Sequence, residues 1–369
     1  MPVDLPIKVA HVIRDFGAVL RFVEFIEHEL EKRIVARLGL VKVEALHSVA
    51  SAYKNEIARV LGPRRRAEIT GLEDLLRRLR QDIDGGIRDA RNAQVGHSLS
   101  LPLQRIPEHW LFMGHSTFSI LAEDLGKIDA AFRSLDPTYS GAAAVPDLDS
   151  QYREFWRASD KLGPPTAIRA AQIYAGPWTP DVISMLPGNT PLQDASLRVL
   201  GLRLMLRQIG LLILPFWQQG GPISLWERLL LELSLIDFVA LEEAVYDGNP
   251  RGNTRSLIDE WLAEQPTHKG VALLIQRRGS LCPARIQWRD DIRDKVCAHM
   301  DLNVPATMLE VANWPVSLPD FHAEVERLCQ IVGEAARLDI RTRYMMAPAV
   351  CLPNVQAIAP VGAPRWADT

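Results

Sequence analysis

Cysteine is scarce in this chain. Cys282, Cys297, Cys329 and Cys351 are the four that occur among 369 residues, and all lie in the C-terminal half. None forms a Cys-x-x-Cys pair, so the spacings of a zinc site and of a disulfide framework are both missing. Reduced thiols in a cytosolic protein are the expectation. Long apolar runs are missing too. The most apolar stretch, Leu197 to Trp217, is interrupted by Arg203 and Arg207 before it reaches the roughly 20 residues that cross a bilayer. It therefore predicts a buried core helix and no membrane span. The N-terminus, Met-Pro-Val-Asp-Leu-Pro, has no basic segment followed by an apolar run, so no signal peptide is expected and the expected location is cytoplasmic. An excess of one charge sign is absent, with a formal net charge of -3. A nucleic-acid binder of this charge needs a local basic groove, because the global field gives no help. His-Glu-x-x-His, Gly-x-Ser-x-Gly and phosphate-loop motifs do not occur, and no metal or cofactor is expected. Gly220-Gly221-Pro222 lacks the flanking strand of a phosphate cradle and reads as a turn.

What the chain does have is helical patterning. Hydrophobic residues make up 47% and charged residues 24%, enough apolar material for two separate cores. From Ile7 to Leu38, Val9, Val12, Ile13, Phe16, Val19, Leu20, Val23 and Ile26 form a broad apolar stripe. A second helix fits Val41 to Leu61 and ends at Gly62-Pro63. A third fits Leu72 to Ile83, where Gly85-Gly86 breaks the pattern. A fourth begins near Ile87, and a long one fits Glu108 to Leu135. Prolines punctuate residues 136–191, which read as a linker with short helices. Helices then fit Ala195 to Trp217, Leu225 to Tyr246, Ser256 to Ala263, Ile286 to Met300 and Pro319 to Leu338. Val271 to Gln276 fits a strand or a helix equally. The fold class predicted is all-α: two divergent helical-bundle domains packed as an intrachain pseudo-dimer. The boundaries are 1–140 for the first domain, 141–190 for the linker, 191–346 for the second domain and 347–369 for a loose tail.

The pseudo-dimer rests on a repeat. Asp89-Ala-Arg91-Asn92-Ala-Gln-Val95-Gly96-His97 matches Asp291-Ile-Arg293-Asp294-Lys-Val-Cys297-Ala298-His299 at a shift of 202 residues, Arg91 falling on Arg293. Asp, Arg, a polar residue, a small residue and His all correspond. Downstream, Phe118, Leu125 and Ile128 match Phe321, Leu328 and Ile331. Two long helices precede the motif in each half.

Arg and His in this pattern suit one chemistry. Histidine both takes and gives a proton near neutral pH. Arginine stays charged and offers a planar fork to a phosphate. One His deprotonates a ribose 2′-hydroxyl, which attacks the adjacent phosphate. A second His protonates the leaving 5′-oxygen while Arg stabilises the charge on phosphorus. The products are a 2′,3′-cyclic phosphate and a 5′-hydroxyl, no metal is needed, and DNA is inert. Residues six apart on a helix lie about 9 Å apart along the axis and about 120° apart around it. One motif therefore grips one phosphate poorly, and it supplies a single His. The duplication supplies the other, if Arg91, His97, Arg293 and His299 meet between the halves.

This pattern resembles the HEPN family (higher eukaryotes and prokaryotes nucleotide-binding). Its members are small helical bundles that pair, and many are metal-independent ribonucleases with an Arg-x4–6-His motif, often with Asn, Asp or His after the Arg. Arg91-Asn92…His97 and Arg293-Asp294…His299 both fit, and Arg293-Asp-Lys-Val-Cys-Ala-His299-Met-Asp301 looks like bacterial members linked to abortive infection and toxin–antitoxin systems. The resemblance spans 1–140 and 191–346, but its specific part is these two motifs. It implies an endoribonuclease with a composite site, catalytic Arg91, His97, Arg293 and His299, and Asn92 and Asp294 in support. It also implies RNA as a partner, an antitoxin or regulatory protein as another, and room for a homodimer. The first copy departs from the second: Gly96-His97-Ser98 lacks the Ala-His-x-Asp ending, which leaves a degenerate first site open. Arg64, Arg65, Arg66, Arg77 and Arg78 form the strongest basic patch and are the candidates for RNA backbone contacts, against a solvated helix face. His109 and His115 read as a surface or interfacial pair, and His11, His28, His47, His268 and His322 as structural or exposed. Two other functions stay open: a non-catalytic helical interaction protein, and a nucleotide- or RNA-binding module with a decayed site.

Overall fold

The computed structural model describes residues 4–25, 29–88, 115–146, 190–213, 216, 223–248, 255–278, 287–298, 300–314 and 318–339. Every regular element among them is helical, so the fold is all-α as the patterning predicts. In chain order these are α1 (Leu5–Phe25), α2 (Glu29–Leu61), α3 (Arg66–Asp82), α4 (His115–Leu135), α5 (Pro191–Ile213), α6 (Leu225–Glu242), α7 (Leu257–Glu264), α8 (Lys269–Arg278) and α9 (Leu318–Arg337). Three stretches are wider, π-helical turns: Ile83–Ile87 after α3, Glu243–Asp247 after α6, and Gln287–Ala298 between α8 and α9. The last is the motif helix. The linker residues 147–189, the tail from 340 onward, Cys282 and Cys351 lie outside the described residues. Cys297 and Cys329 are free, buried thiols.

Local chemistry sets several helix starts. Pro191 occupies the first turn of α5, where its missing N–H costs nothing, and Thr190 Oγ1 accepts from the Gln193 N–H at 3.1 Å. The Ser224 hydroxyl accepts from the Glu227 N–H at the start of α6. Ser256 and Asp259 close a reciprocal capping box on α7. The ambiguous stretch Val271 to Gln276 is helical and lies inside α8.

Three sequence readings change. The stripe from Ile7 to Leu38 is divided between two helices, α1 and α2, and α2 continues through residues 38–41 without a break. The glycine in that stretch, Gly39, is instead a contact point: a Cβ there would sit 2.2 Å from Cε1 of Phe118 on α4. Gly85-Gly86 does not end the helical path but falls inside the π-helical turn. The apolar side chains form one continuous core across both halves rather than two separate ones. The cause is the packing of α2 against α5, α6 and the motif helix, and of α1 against α6.

Within the first half, α1 packs along α2, and α4 lies over α1 and α3. The Phe118 ring of α4 stacks on Phe16 of α1, with centroids 5.6 Å apart. In the second half α5 pairs with α6, the motif helix lies on α6, and α8 packs on α9. Phe321 of α9 meets Phe238 of α6 edge-on at 5.7 Å. Arg203 and Arg207 are buried within α5, as expected of a core helix. Among the described residues, no helix is long and apolar enough to cross a membrane.

Candidate functional site

The second Arg motif lies on the motif helix, which packs on α6 of its own half and on α2 of the other. Arg293 is 5% exposed, and its guanidinium is engaged by the carboxylate of the adjacent Asp294. Arg91, Asn92, His97 and His299 lie outside the described residues. Their flanks are defined. Arg88, three residues before Arg91, donates from Nε to Glu44 of α2 at 3.4 Å and pairs with Asp84 at 2.6 Å. Cys297, four residues after Arg293, is buried within electrostatic range of Lys42 of α2 and of Glu232 and Arg228 of α6. The described flank of the first motif and the second motif helix thus both approach residues 42–47 of α2. They do so on different sides, since residues two apart on a helix point about 200° apart. Both segments are also π-helical, just before Arg91 and around Arg293, a rare geometry that recurs at functional sites.

The motif helix closes abruptly. Met300 takes φ 50°, a left-handed conformation that costs a residue with a Cβ about 1–2 kcal/mol. The Asp301 N–H turns back to the Lys295 carbonyl at 2.6 Å.

Beside Cys297 lies a cluster of buried charges that joins the two halves. Lys42 contacts Asp15 at 3.0 Å and Glu232 at 2.5 Å. Arg228 reaches both oxygens of Asp15, and also Glu232. A further pair, Arg37 and Asp237, is bidentate, at 3.0 and 2.6 Å. The matched pairs 37 with 237 and 42 with 232 show that α2 and α6 cross antiparallel. Two carboxylates balance two cations in the first group, and one balances one in the second. Burial alone would raise the Asp15 carboxyl, but the charges of Arg228, His11 and Lys42 outweigh it and hold it well below the usual carboxylate range. Burial opposes the Lys42 ammonium, and Glu232 and Asp15 outweigh it in turn. The Cys297 thiol is pushed well up by burial and by Glu232, which keeps it protonated and makes it a poor nucleophile.

His11, Asp15 and Glu232 place three ligand atoms within 4.8 Å of one another. They do not fit a metal ion, because Lys42 and Arg228 already occupy the space between the carboxylates and neutralise them. Sequence reading missed this cluster and took His11 as structural or exposed. Its signal was nonetheless present: Lys42 interrupts Val41 and Val43, Glu232 interrupts Leu231 and Leu233, and Lys8 and Asp15 sit beside the apolar stripe of α1. His47, read as structural or exposed, is half-buried on α2 within electrostatic range of Arg80, Asp84, Arg88 and Glu44. Burial and the Arg80 charge push its imidazole down, toward the neutral form.

Arg64, Arg65, Arg66, Arg77 and Arg78 are all exposed at and along α3. Acidic side chains one turn away offset part of this patch: Arg65 pairs with Glu68 at 3.2 Å and Arg77 with Asp74 at 2.6 Å. Two other titratable groups are strongly perturbed. Burial pushes the Glu227 carboxyl up to about 7, against a hydrogen bond from the Ser224 backbone, and it pushes His322 down to about 4.

Compared with known proteins, the chain matches no family model, no curated protein and no solved structure.

Proposed function

We propose that the protein is a metal-independent endoribonuclease of the HEPN type, with a single site assembled between its halves from Arg91, His97, Arg293 and His299. Asn92 and Asp294 orient the arginines. One histidine removes the 2′-hydroxyl proton and the other protonates the departing 5′-oxygen, leaving a 2′,3′-cyclic phosphate. The observation that carries this reading is that the described flank of the first motif and the second motif helix both pack on one stretch of α2, residues 42–47, although on different sides of it. The antiparallel crossing of α2 and α6 also supports it, since equivalent helices related by a two-fold axis perpendicular to them run antiparallel. A role as a toxin or antiviral effector, with RNA as substrate and a regulatory protein as partner, follows from the same reading.

The test is incubation of the purified protein with RNA and with DNA of the same sequence in EDTA, followed by analysis of the ends. RNA fragments with cyclic phosphate and 5′-hydroxyl ends are expected, with DNA intact. Cleavage that stops in EDTA would contradict the mechanism.

One observation favours a second reading. Arg293 is buried and engaged by Asp294, as it would be if it fixed the motif helix in a non-catalytic interaction protein. Absence of cleavage on any RNA, together with loss of stability on Arg293→Ala, is the outcome that reading predicts.

A further inference from the structure

The end of the motif helix is held from the opposite half. Lys8, on α1, is fully buried, and its ammonium donates to the carbonyl oxygens of Asp301 and Leu302, each at 2.9 Å. One turn earlier, Asp4 Oδ2 accepts from the Ala306 N–H at 3.1 Å. Position 299 falls between the buried Cys297 and this pair of clamped carbonyls. The intervening Met300 is left-handed, a conformation that persists only when its surroundings over-determine it. Burial strips Lys8 of its hydration and pushes its pKa down, and the charges of Asp4 and Asp301 offset this only in part. A methionine would fill the same volume without that desolvation, so packing alone does not explain a lysine here. A cation just beyond the C-terminus of a helix is also favoured by the helix dipole.

We infer that Lys8 is a positioning residue for the second motif: it clamps Asp301 and Leu302 and so fixes, from the first half, the turn that follows His299 in the sequence. The activity readout of this inference rests on His299 acting in RNA cleavage, whereas its structural readout does not. The clamp makes the second motif dependent on docking of the two halves.

The experiment is Lys8→Met in the full chain, with amide hydrogen exchange over residues 300–306 and steady-state RNA cleavage measured side by side. Loss of two hydrogen bonds from a charged donor is expected to speed exchange in this turn at least about tenfold. It is expected to lower kcat at least about tenfold with KM unchanged, because the turn that anchors the end of the motif loosens while substrate contacts remain. Should Lys8→Met fail to fold, Lys8→Gln, which keeps a shorter neutral donor, takes its place with the same readouts. Wild-type exchange in the turn overturns the clamp. Faster exchange with unchanged kcat overturns the positioning role. Faster exchange in a protein whose wild type cuts no RNA supports the clamp and removes the nuclease reading instead.

Discussion

Lys42→Met removes one cation from the junction between the halves and leaves Glu232 with Arg228, and Asp15 with Arg228 and His11. Lys42 is 1% exposed and touches both carboxylates, so solvent cannot replace it. Breaking a buried pair by deleting one partner costs about 3–5 kcal/mol, because the other charge stays buried and uncompensated. Arg228 still contacts both acids, which argues for the lower end, about 3 kcal/mol. Replacing both partners by apolar groups avoids the uncompensated charge. Lys42→Met with Glu232→Leu leaves Asp15 bound to Arg228 through both oxygens. The double variant is therefore expected within about 1 kcal/mol of wild type, which corresponds to a coupling energy of about 2 kcal/mol or more. Urea denaturation at pH 7, followed by circular dichroism for the wild type, both single variants and the double, measures it. Single variants that each cost under about 1 kcal/mol, or costs that simply add, would refute the claim that these charges are dehydrated and interdependent.

Two further predictions concern stability. Gly39→Ala places a methyl group against Phe118 and is expected to cost about 1–3 kcal/mol, part of which Phe118→Leu restores in the double variant, as read by thermal melts. Glu227 has its folded pKa raised to about 7 from 4.5, so its contribution to stability is full below pH 4.5 and is lost as pH rises through 7. Glu227→Gln is expected to remove that slope and to stabilise the protein at pH 8 by up to about 3 kcal/mol, and parallel stability–pH curves for variant and wild type would contradict it.

The helices were readable because apolar residues recur at helical spacing, and the all-α class follows directly from it. The errors have physical causes. Residues 39–40 fall between two stretches read as separate helices, but the missing side chain of Gly39 makes room for a ring 79 positions away. The stripe of α1 runs on into α2 because both helices bury one face in the same core. That core is continuous because α2 faces the second half as well as its own, which no local pattern reports. The motifs were found by comparing the halves. The charge cluster beside them was not, because Lys42, Asp15, Arg228 and Glu232 look like isolated polar interruptions until three helices bring them together. The burial of Arg293 was likewise hidden, since a repeat shows which residues correspond and not which way they face.

A composite site and two separate sites differ in one kinetic comparison: His97→Ala, His299→Ala and the double variant, assayed on RNA in EDTA. Shared acid–base work predicts that each single change lowers kcat by about 10²–10⁴-fold, as far as both together. Retention of about half the activity by each single variant would mean two independent sites, and full activity in both would take the histidines out of the reaction.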